Sequence, residues 1–326
     1  MPRALVTGAS GFVGGALAAE LARAGYEVTA LVRSSSARGH LEALGATFAS
    51  GDLSDKGALS AAVAGADVVH HVAAVVRARD PRDFERSNVA GTRLLLEACA
   101  ARAGGPPRVV LVSSLAAAGP SRDGRPVTEE SPPAPITAYG RSKLAQEQLA
   151  AEFAGRVPVV TVRPPAVYGP RDAAFLVMFK LARWGVAPRL VGGTERTSMV
   201  HVEDLAVALR LAGERGAPGG VYFATDGAEH DAVAVAQAMA RAQGRRAVAL
   251  PVPLAAARMV ARLSQALTPP GRTPVVNPEK IADLSQRWWI CSDARARRDL
   301  GYSSRWDLEA GLEQTARWYR AEGWLG

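Results

Sequence analysis

The segment Thr7-Gly8-Ala9-Ser10-Gly11-Phe12-Val13-Gly14 sets the strongest limit on the fold, because it joins an apolar run, Ala4-Leu5-Val6, to an amphipathic stretch over residues 12–24. A glycine triplet in an arbitrary loop carries little information; between a strand and a helix it has a mechanical purpose. Gly8 permits the tight turn, Gly11 lets the backbone approach a pyrophosphate, and Gly14 lets the helix settle on the sheet, with the helix N-terminus facing the anion. The loop predicts dinucleotide binding through Gly8, Ser10, Gly11, Phe12, Val13 and Gly14. Its Gly-x-x-Gly-x-x-Gly spacing is wider than that of the standard fingerprint.

Short apolar runs at residues 4–6, 28–32, 46–49, 68–72, 109–112 and 159–162 alternate with helical stretches at 12–24, 59–64, 84–103 and 138–154. Strands that are apolar along their length are covered on both faces, which calls for a parallel sheet with crossover helices. After Pro164 the alternation breaks down into helices at 173–184, 202–215, 232–242, 254–267 and 308–322, joined by connections such as Ala217-Pro218-Gly219-Gly220 and Pro269-Pro270-Gly271. The expected fold is α/β: a Rossmann-type doubly wound parallel sheet over residues 1–165, with a smaller C-terminal substrate-binding lobe over 166–326 interleaved with the last strands of the main sheet. Leu254 to Leu267 carries Arg258 and Arg262 four residues apart on one face. It reads as a packing helix of that lobe, with a lid or a membrane-surface helix as the alternatives.

An acidic residue at the end of the second strand serves NAD through the ribose hydroxyl. This chain has Leu31-Val32-Arg33-Ser34-Ser35 there instead. A guanidinium followed by hydroxyls suits a ribose phosphate, so Arg33 and Ser34 favour NADP(H), with NAD(H) as the alternative and Arg38 as a second phosphate contact. The bland reading of Arg33 is an exposed strand-end arginine. Asp52 in Gly51-Asp52-Leu53 either accepts from an adenine amino group, with Leu53 packed on the ring, or caps the next helix. Ala73 and Ala74 follow the fourth strand, where small side chains leave room for the cofactor.

Tyr139 and Lys143 stand at i, i+4 in a predicted helix and so share one face. A phenol titrating near 10 is a poor acid-base group at neutral pH unless a cation favours its phenolate. Lys143 and an oxidised nicotinamide supply such a field, which makes Tyr139 the predicted proton donor to a carbonyl or acceptor from an alcohol. Ser114 ends the fifth strand at the carboxyl edge of the sheet, where it can hold and orient the substrate oxygen. Ser113 reads as a neighbour that contacts backbone. No nucleophile elbow surrounds these serines, which argues against a hydrolase. His70 and His71 are adjacent on a strand and point to opposite faces, so they do not form one metal site.

Lys+Arg total 39 against 31 Asp+Glu, a net charge of +8. The lysines are Lys56, Lys143, Lys180 and Lys280, so the excess is arginine scattered over the chain without a dense tract or an aromatic platform. No nucleic-acid partner is expected, although the charge can steer an anionic cofactor. No run approaches the ~20 apolar residues of a membrane span, and Met1-Pro2-Arg3 leads straight into the first strand without a cleavage site. A soluble, cytoplasmic protein is expected, with Cys99 and Cys291 as reduced packing residues.

With these residues assembled, the chain resembles the extended short-chain dehydrogenase/reductase family over essentially its full length. The resemblance rests on residues 7–14, Asp52-Leu53, Asn88-Val89-Ala90-Gly91-Thr92, Ser113-Ser114, residues 139–143 and Arg163-Pro164-Pro165-Ala166-Val167-Tyr168-Gly169-Pro170. It implies that Ser114, Tyr139 and Lys143 are catalytic, that Tyr139 and Lys143 also bind the cofactor, that Asn88 supports Lys143 through a water relay, and that Pro164 to Val167 contacts the nicotinamide. Two departures narrow the chemistry. Nucleotide-sugar dehydratases of the family carry carboxylates after the hydroxyl residue, where this chain has Leu115 and Ala116. Its epimerases carry an arginine four residues before the His201-like position, where this chain has Thr197 with Arg196 beside it.

What remains is similar to the 3-beta-hydroxysteroid dehydrogenase and dihydroflavonol reductase branch. That similarity implies a hydrophobic carbonyl or alcohol substrate, a steroid, polyketide or aromatic ketone, and, by analogy, a homodimer formed through the helices at 84–103 and 138–154. Phe175, Met178, Phe179, Trp184, Trp288 and Trp289 suit such a substrate, although a stripe at helical spacing also suits a core. The alternatives are a nucleotide-sugar epimerase and a non-catalytic NADP(H)-sensing protein.

Overall fold

The computed structural model describes residues 1–269 and 277–325. Seven parallel strands form the main sheet, in the spatial order Val221–Phe223, Val159–Arg163, Arg108–Val112, Val68–His71, Arg3–Thr7, Glu27–Val32 and Thr47–Ser50. The first six expected strands are all present, shifted by a residue or two at their ends. The apolar runs of five of them are buried on both faces for the reason inferred above, whereas the edge strand Thr47–Ser50 has no buried residue. Leu17, Leu21, Leu205 and Leu209 pack on one face with Val6, Val110 and Val160. Leu59, Leu95, Leu149 and Phe153 pack on the other with Leu5, Val69 and Leu111.

The strand order reverses between Arg3–Thr7 and Val68–His71, and a crevice opens at such a switch point beyond the carboxyl ends of the strands. Both the glycine loop and the Ala73-Ala74 segment leave the sheet there. The second half of the chain adds the edge strand Val221–Phe223 and the helix Val202–Arg215 to this body.

Three smaller sheets complete the C-terminal region. They pair Ala166–Tyr168 with Met199–His201, join Arg196–Thr197 to His230–Asp231 and Trp288–Trp289, and pair Val186–Leu190 with Val248–Val252. Tyr168, Phe179, Met239, Leu312 and Tyr319 form a separate core under them. Phe179 of the aromatic stripe therefore belongs to that core, edge-on to Tyr319 with ring centroids 5.2 Å apart.

Two expectations differ. The helix expected over 84–103 is a helical path in three pieces, Pro81–Phe84, a π-helical turn Glu85–Ala90, and Gly91–Ala100. Asp80 starts it by accepting from the Arg82 amide, with Pro81 in the first turn. The helix Leu254–Leu267 forms as expected, yet of its residues only Ala261 is buried. The Pro269-Pro270-Gly271 connection lies partly outside the described residues. No helix among the described residues is long and apolar enough to cross a membrane.

Candidate active site

The glycine loop fits a pyrophosphate. Gly8 has φ +72°, and a Cβ there would lie 2.8 Å from the Ala73 nitrogen; a Cβ on Gly14 would lie 2.2 Å from the Gly8 carbonyl oxygen. The loop is closed by the Gly11 amide donating to the Gly8 carbonyl at 3.0 Å. Helix Phe12–Arg23 begins at Gly11 with no side chain capping it, so its N-terminus is open to an anion. Ser10, Phe12 and Val13 are half-buried around this turn. The Thr7 hydroxyl accepts from the Ala73 amide at 3.1 Å and bonds His71 Nδ1 at 2.8 Å, tying the first strand to the segment that carries Ala73 and Ala74.

Arg33 and Ser34, expected at the adenosine end, are exposed at the end of the second strand. Arg38 folds back so that its guanidinium donates to the Arg33 carbonyl at 3.5 Å and lies 5.3 Å from the Phe48 ring. Asp52 does not cap the next helix. Asp55 does, accepting from the Ala58 amide, while Asp52 accepts from the Ser54 amide and hydroxyl. Those two bonds hold the Asp52 carboxyl below its usual range, with Arg33 adding a smaller lowering. Leu53 packs against Gly91, where a Cβ would come within 2.8 Å of it.

A residue that sequence reasoning passed over stands beside the loop. Arg171 adopts φ +73°, and its guanidinium donates to the Ser10 carbonyl at 3.5 Å and to His40 Nδ1 at 3.2 Å. Burial, and then the charge of Arg171, lowers the His40 pKa.

Ser114, Tyr139 and Lys143 converge at the carboxyl edge of the fifth strand. The Ser114 hydroxyl accepts from the Ala116 amide at 3.1 Å, which starts the short helix Leu115–Ala118. Tyr139 opens the helix Ala138–Glu152, capped by Thr137 on the Gly140 amide at 3.0 Å. Gly140 allows the two helices to meet, since a Cβ there would be 2.4 Å from the Ala116 carbonyl oxygen. Burial pushes the Tyr139 phenol up to about 12, opposed by a hydrogen bond with Ser114 and reinforced by Asp283. Burial brings Lys143 down to about 7, against the attraction of Glu147 one turn along the helix. The field expected from Lys143 is thereby weakened near neutrality, where the amine is only partly charged.

Asn88 lies fully buried in the π-helical turn. Its Oδ1 accepts from the Val75 amide at 2.8 Å, and its Nδ2 donates to the Val75 carbonyl at 3.0 Å and to the Ser142 hydroxyl at 3.1 Å. Its side chain therefore pins the segment after the fourth strand to the Tyr139 helix. Pro164 is joined to the Ser114 turn by its carbonyl, which accepts from the Leu115 amide at 2.8 Å, and Val167 pairs with Val200.

Ser113 is more than a bystander. Its hydroxyl donates to Glu147, which also receives Arg163 Nε at 2.9 Å, in a pair whose side chains are 5% and 9% exposed. Glu147 was legible as the i+4 neighbour of Lys143. Glu279 was not; its carboxylate accepts from the Ala138 amide at 2.8 Å across 141 residues of sequence. Phe84, Arg79, Gln265, Pro278 and Glu279 line a cleft of about 280 Å³, and the Phe84 ring lies 6.1 Å from that of Tyr139.

The histidines fall as their spacing requires. His71 bonds Thr7 and Thr92, while the His70 ring lies beside Gly213 on the other face of the sheet. His201 is buried between Trp306 and Tyr168 and starts the helix Val202–Arg215.

A pyrophosphate cradle at the switch point of a parallel sheet defines a class of dinucleotide-dependent enzymes. A model of the NAD dependent epimerase/dehydratase family matches residues 4–224. The chain is 36% identical over 328 residues to the 4-hydroxy-2-methyl-3-oxo-4-farnesyl-3,4-dihydroquinoline-1-oxide ketoreductase of Stigmatella aurantiaca, covering 95% of each chain. It is 34% identical over 325 residues to the ceramide reductase of Caulobacter vibrioides, covering 98% of this chain and 95% of that one. It matches the crystal structure of gox2253 with a TM-score of 0.83 and 30% identity, covering 100% of both chains. The chain belongs to the NAD-dependent epimerase/dehydratase family, the extended short-chain dehydrogenase/reductases, and is an NAD(P)-dependent oxidoreductase.

Proposed function

We propose that this enzyme interconverts a ketone and a secondary alcohol on a hydrophobic substrate, with NADP(H) as the favoured cofactor. The observation that carries the reading is that Ser114 and Tyr139 open two helices, Leu115–Ala118 and Ala138–Glu152, which meet at Gly140 beside a cleft walled by Pro81, Phe84 and Pro278 together with Arg79, Gln265 and Glu279. When bound, the cofactor supplies or takes the hydride. The chain's own residues manage the oxygen and the proton. Ser114 holds the substrate oxygen, and Tyr139, protonated at neutral pH because burial raises its pKa to about 12, donates to that oxygen as a ketone is reduced. Lys143 lies one turn from Tyr139 and restores positive charge behind the phenol when protonated.

Several observations support the finer points. Arg33 at the second strand end, with no acidic residue there, suits a ribose phosphate. The relatives' names, a farnesylated quinoline oxide ketoreductase and a ceramide reductase, both describe lipophilic compounds. Leu115 and Ala116, buried or half-buried against the Tyr139 helix, leave a dehydration without its acid and base. Arg196 is already engaged by Glu229 and by the Gly124 carbonyl, which argues against its holding a sugar-nucleotide phosphate.

The test is a panel of lipophilic and aromatic ketones with NADPH or NADH. Turnover of a lipophilic ketone with preference for NADPH is the expected result. Tight binding of a uridine diphosphate sugar with retained NAD favours the epimerase alternative, and cofactor binding without turnover of any ketone or alcohol favours a sensor.

A further inference from the structure

The helix Leu254–Leu267 is turned inside out. At the α-helical period, Ala257, Ala261, Ser264 and Gln265 share one face, and Met259, Val260, Leu263 and Leu267 share the opposite one. A helix packed on a water-soluble body buries its apolar stripe. Here the face toward the protein is the small and polar one: Ala261 is buried, and Gln265 lines the cleft near Phe84. The large apolar side chains face outward, with Met259 59%, Val260 54%, Leu263 53% and Leu267 80% exposed. The preceding strand adds Val248 at 75% and Leu250 at 54%.

Charge indicates what covers this stripe. The helix holds Arg258 and Arg262 and no carboxylate. At its C-terminal end Arg79 donates to the Thr268 carbonyl at 3.0 Å, adding a third guanidinium at that end of the helix. A second copy of the chain laid against this face would set arginine against arginine with no acid on the helix to pair with them. An anionic surface of apolar interior complements both features, taking the stripe among its acyl chains and the guanidinium groups among its headgroups.

We propose that Leu254–Leu267 is a membrane-docking helix that lies in the surface of an anionic lipid bilayer. Docked there, it places the lipid phase on one side of a helix whose other side, through Gln265, walls the cleft beside Phe84 and Tyr139. The docking stands on the geometry of the helix alone. Its use, passing a lipophilic substrate from bilayer to cleft, rests on the ketoreductase reading.

The experiment is flotation of the full chain with vesicles of phosphatidylcholine alone or mixed with phosphatidylglycerol, run alongside sedimentation velocity and turnover of a short water-soluble ketone. The expected result is co-flotation with the mixed vesicles, weakened by salt. Leu263→Asp should lose it by about tenfold or more, and Arg258→Glu/Arg262→Glu should lose the preference for anionic lipid. Because Leu263 is exposed, Leu263→Asp should keep its circular dichroism spectrum and its turnover of the soluble ketone. Failure of the wild-type chain to float overturns the docking, whatever its turnover. A concentration-dependent dimer abolished by Leu263→Asp also overturns it and assigns the stripe to a second copy. Flotation without any ketone turnover keeps the docking and removes only the reductase reading.

Discussion

The carboxylate of Glu279 accepts a hydrogen bond from the backbone amide of Ala138 at 2.8 Å, so the C-terminal region reaches the residue immediately before Tyr139. The amide lies in the first turn of the Tyr139 helix, where backbone donors lack intrahelical partners and a carboxylate also meets the positive end of the helix dipole. Glu279→Ala should cost about 0.5–2 kcal/mol of stability, the usual range for a lost helix cap. It should also lower kcat several-fold by loosening Tyr139, while cofactor affinity stays unchanged. Glu279→Gln keeps an accepting oxygen and should recover most of the loss. Steady-state kinetics with cofactor titration checks this, and equal weakening of cofactor binding would contradict it.

The amine of Lys143 titrates near neutrality, at about 7, because it is buried. Its charge is present below that pH and lost above it. Ketone reduction should therefore fall as pH rises through about 7, with Tyr139 still protonated throughout. Glu147 favours the charged amine, so Glu147→Gln should move this limb to lower pH; its one acceptor oxygen can keep the bonds from Ser113 and Arg163 Nε, while the bond from Arg163 Nη2 is lost. A pH profile of kcat/KM for both proteins reads the shift directly. A limb at the same pH in the variant would remove Glu147 from the account.

His70 and His71 are both buried, with pKa values lowered to about 3 from 6.5 by desolvation. The folded state keeps them neutral, while the unfolded chain takes up protons below about 6.5. Stability should thus be full above that pH and decline as pH falls from about 6.5 toward 3, by up to about 1.4 kcal/mol per pH unit for each histidine. Urea unfolding across this range measures the slope. His70→Leu should flatten it, since the ring's Nδ1 has no partner to lose.

Arg33 is exposed at the end of the second strand and close enough to act on the Asp52 carboxyl. Arg33→Ala should raise the KM for NADPH and leave that for NADH little changed, because only the former presents a ribose phosphate. Equal effects on the two cofactors would mean that Arg33 serves the adenosine in some other way.

Most of the sheet was legible because its signal is local. Val109 to Val112 is apolar at every position, which only a strand covered on both faces requires. The Tyr139–Lys143 pair was legible for the same reason, four residues of one helix. Glu279 was not, since its meaning depends on a contact made across 141 residues. Gly140 lay in plain sight beside Tyr139, yet its function depends on where Ala116 arrives in space. The π-helical turn was missed because Asn88, which ties it to Val75 and Ser142, bends a path whose composition reads as one continuous helix. Leu254–Leu267 was read correctly as a helix, but it packs through its small and polar face and not through its apolar one. Its period fixes which residues share a face, and only the tertiary structure says which face turns outward.

In the proposed reaction Tyr139 carries the proton through its hydroxyl, a role separable from any contact its ring makes with the cofactor. Single-turnover reduction of a ketone by enzyme preloaded with NADPH, comparing wild type with Tyr139→Phe, tests it most directly. NADPH oxidation in the variant should fall by about two to four orders of magnitude, the range for removal of a general acid, with an unchanged NADPH dissociation constant. Hydride transfer at the wild-type rate in Tyr139→Phe would contradict it.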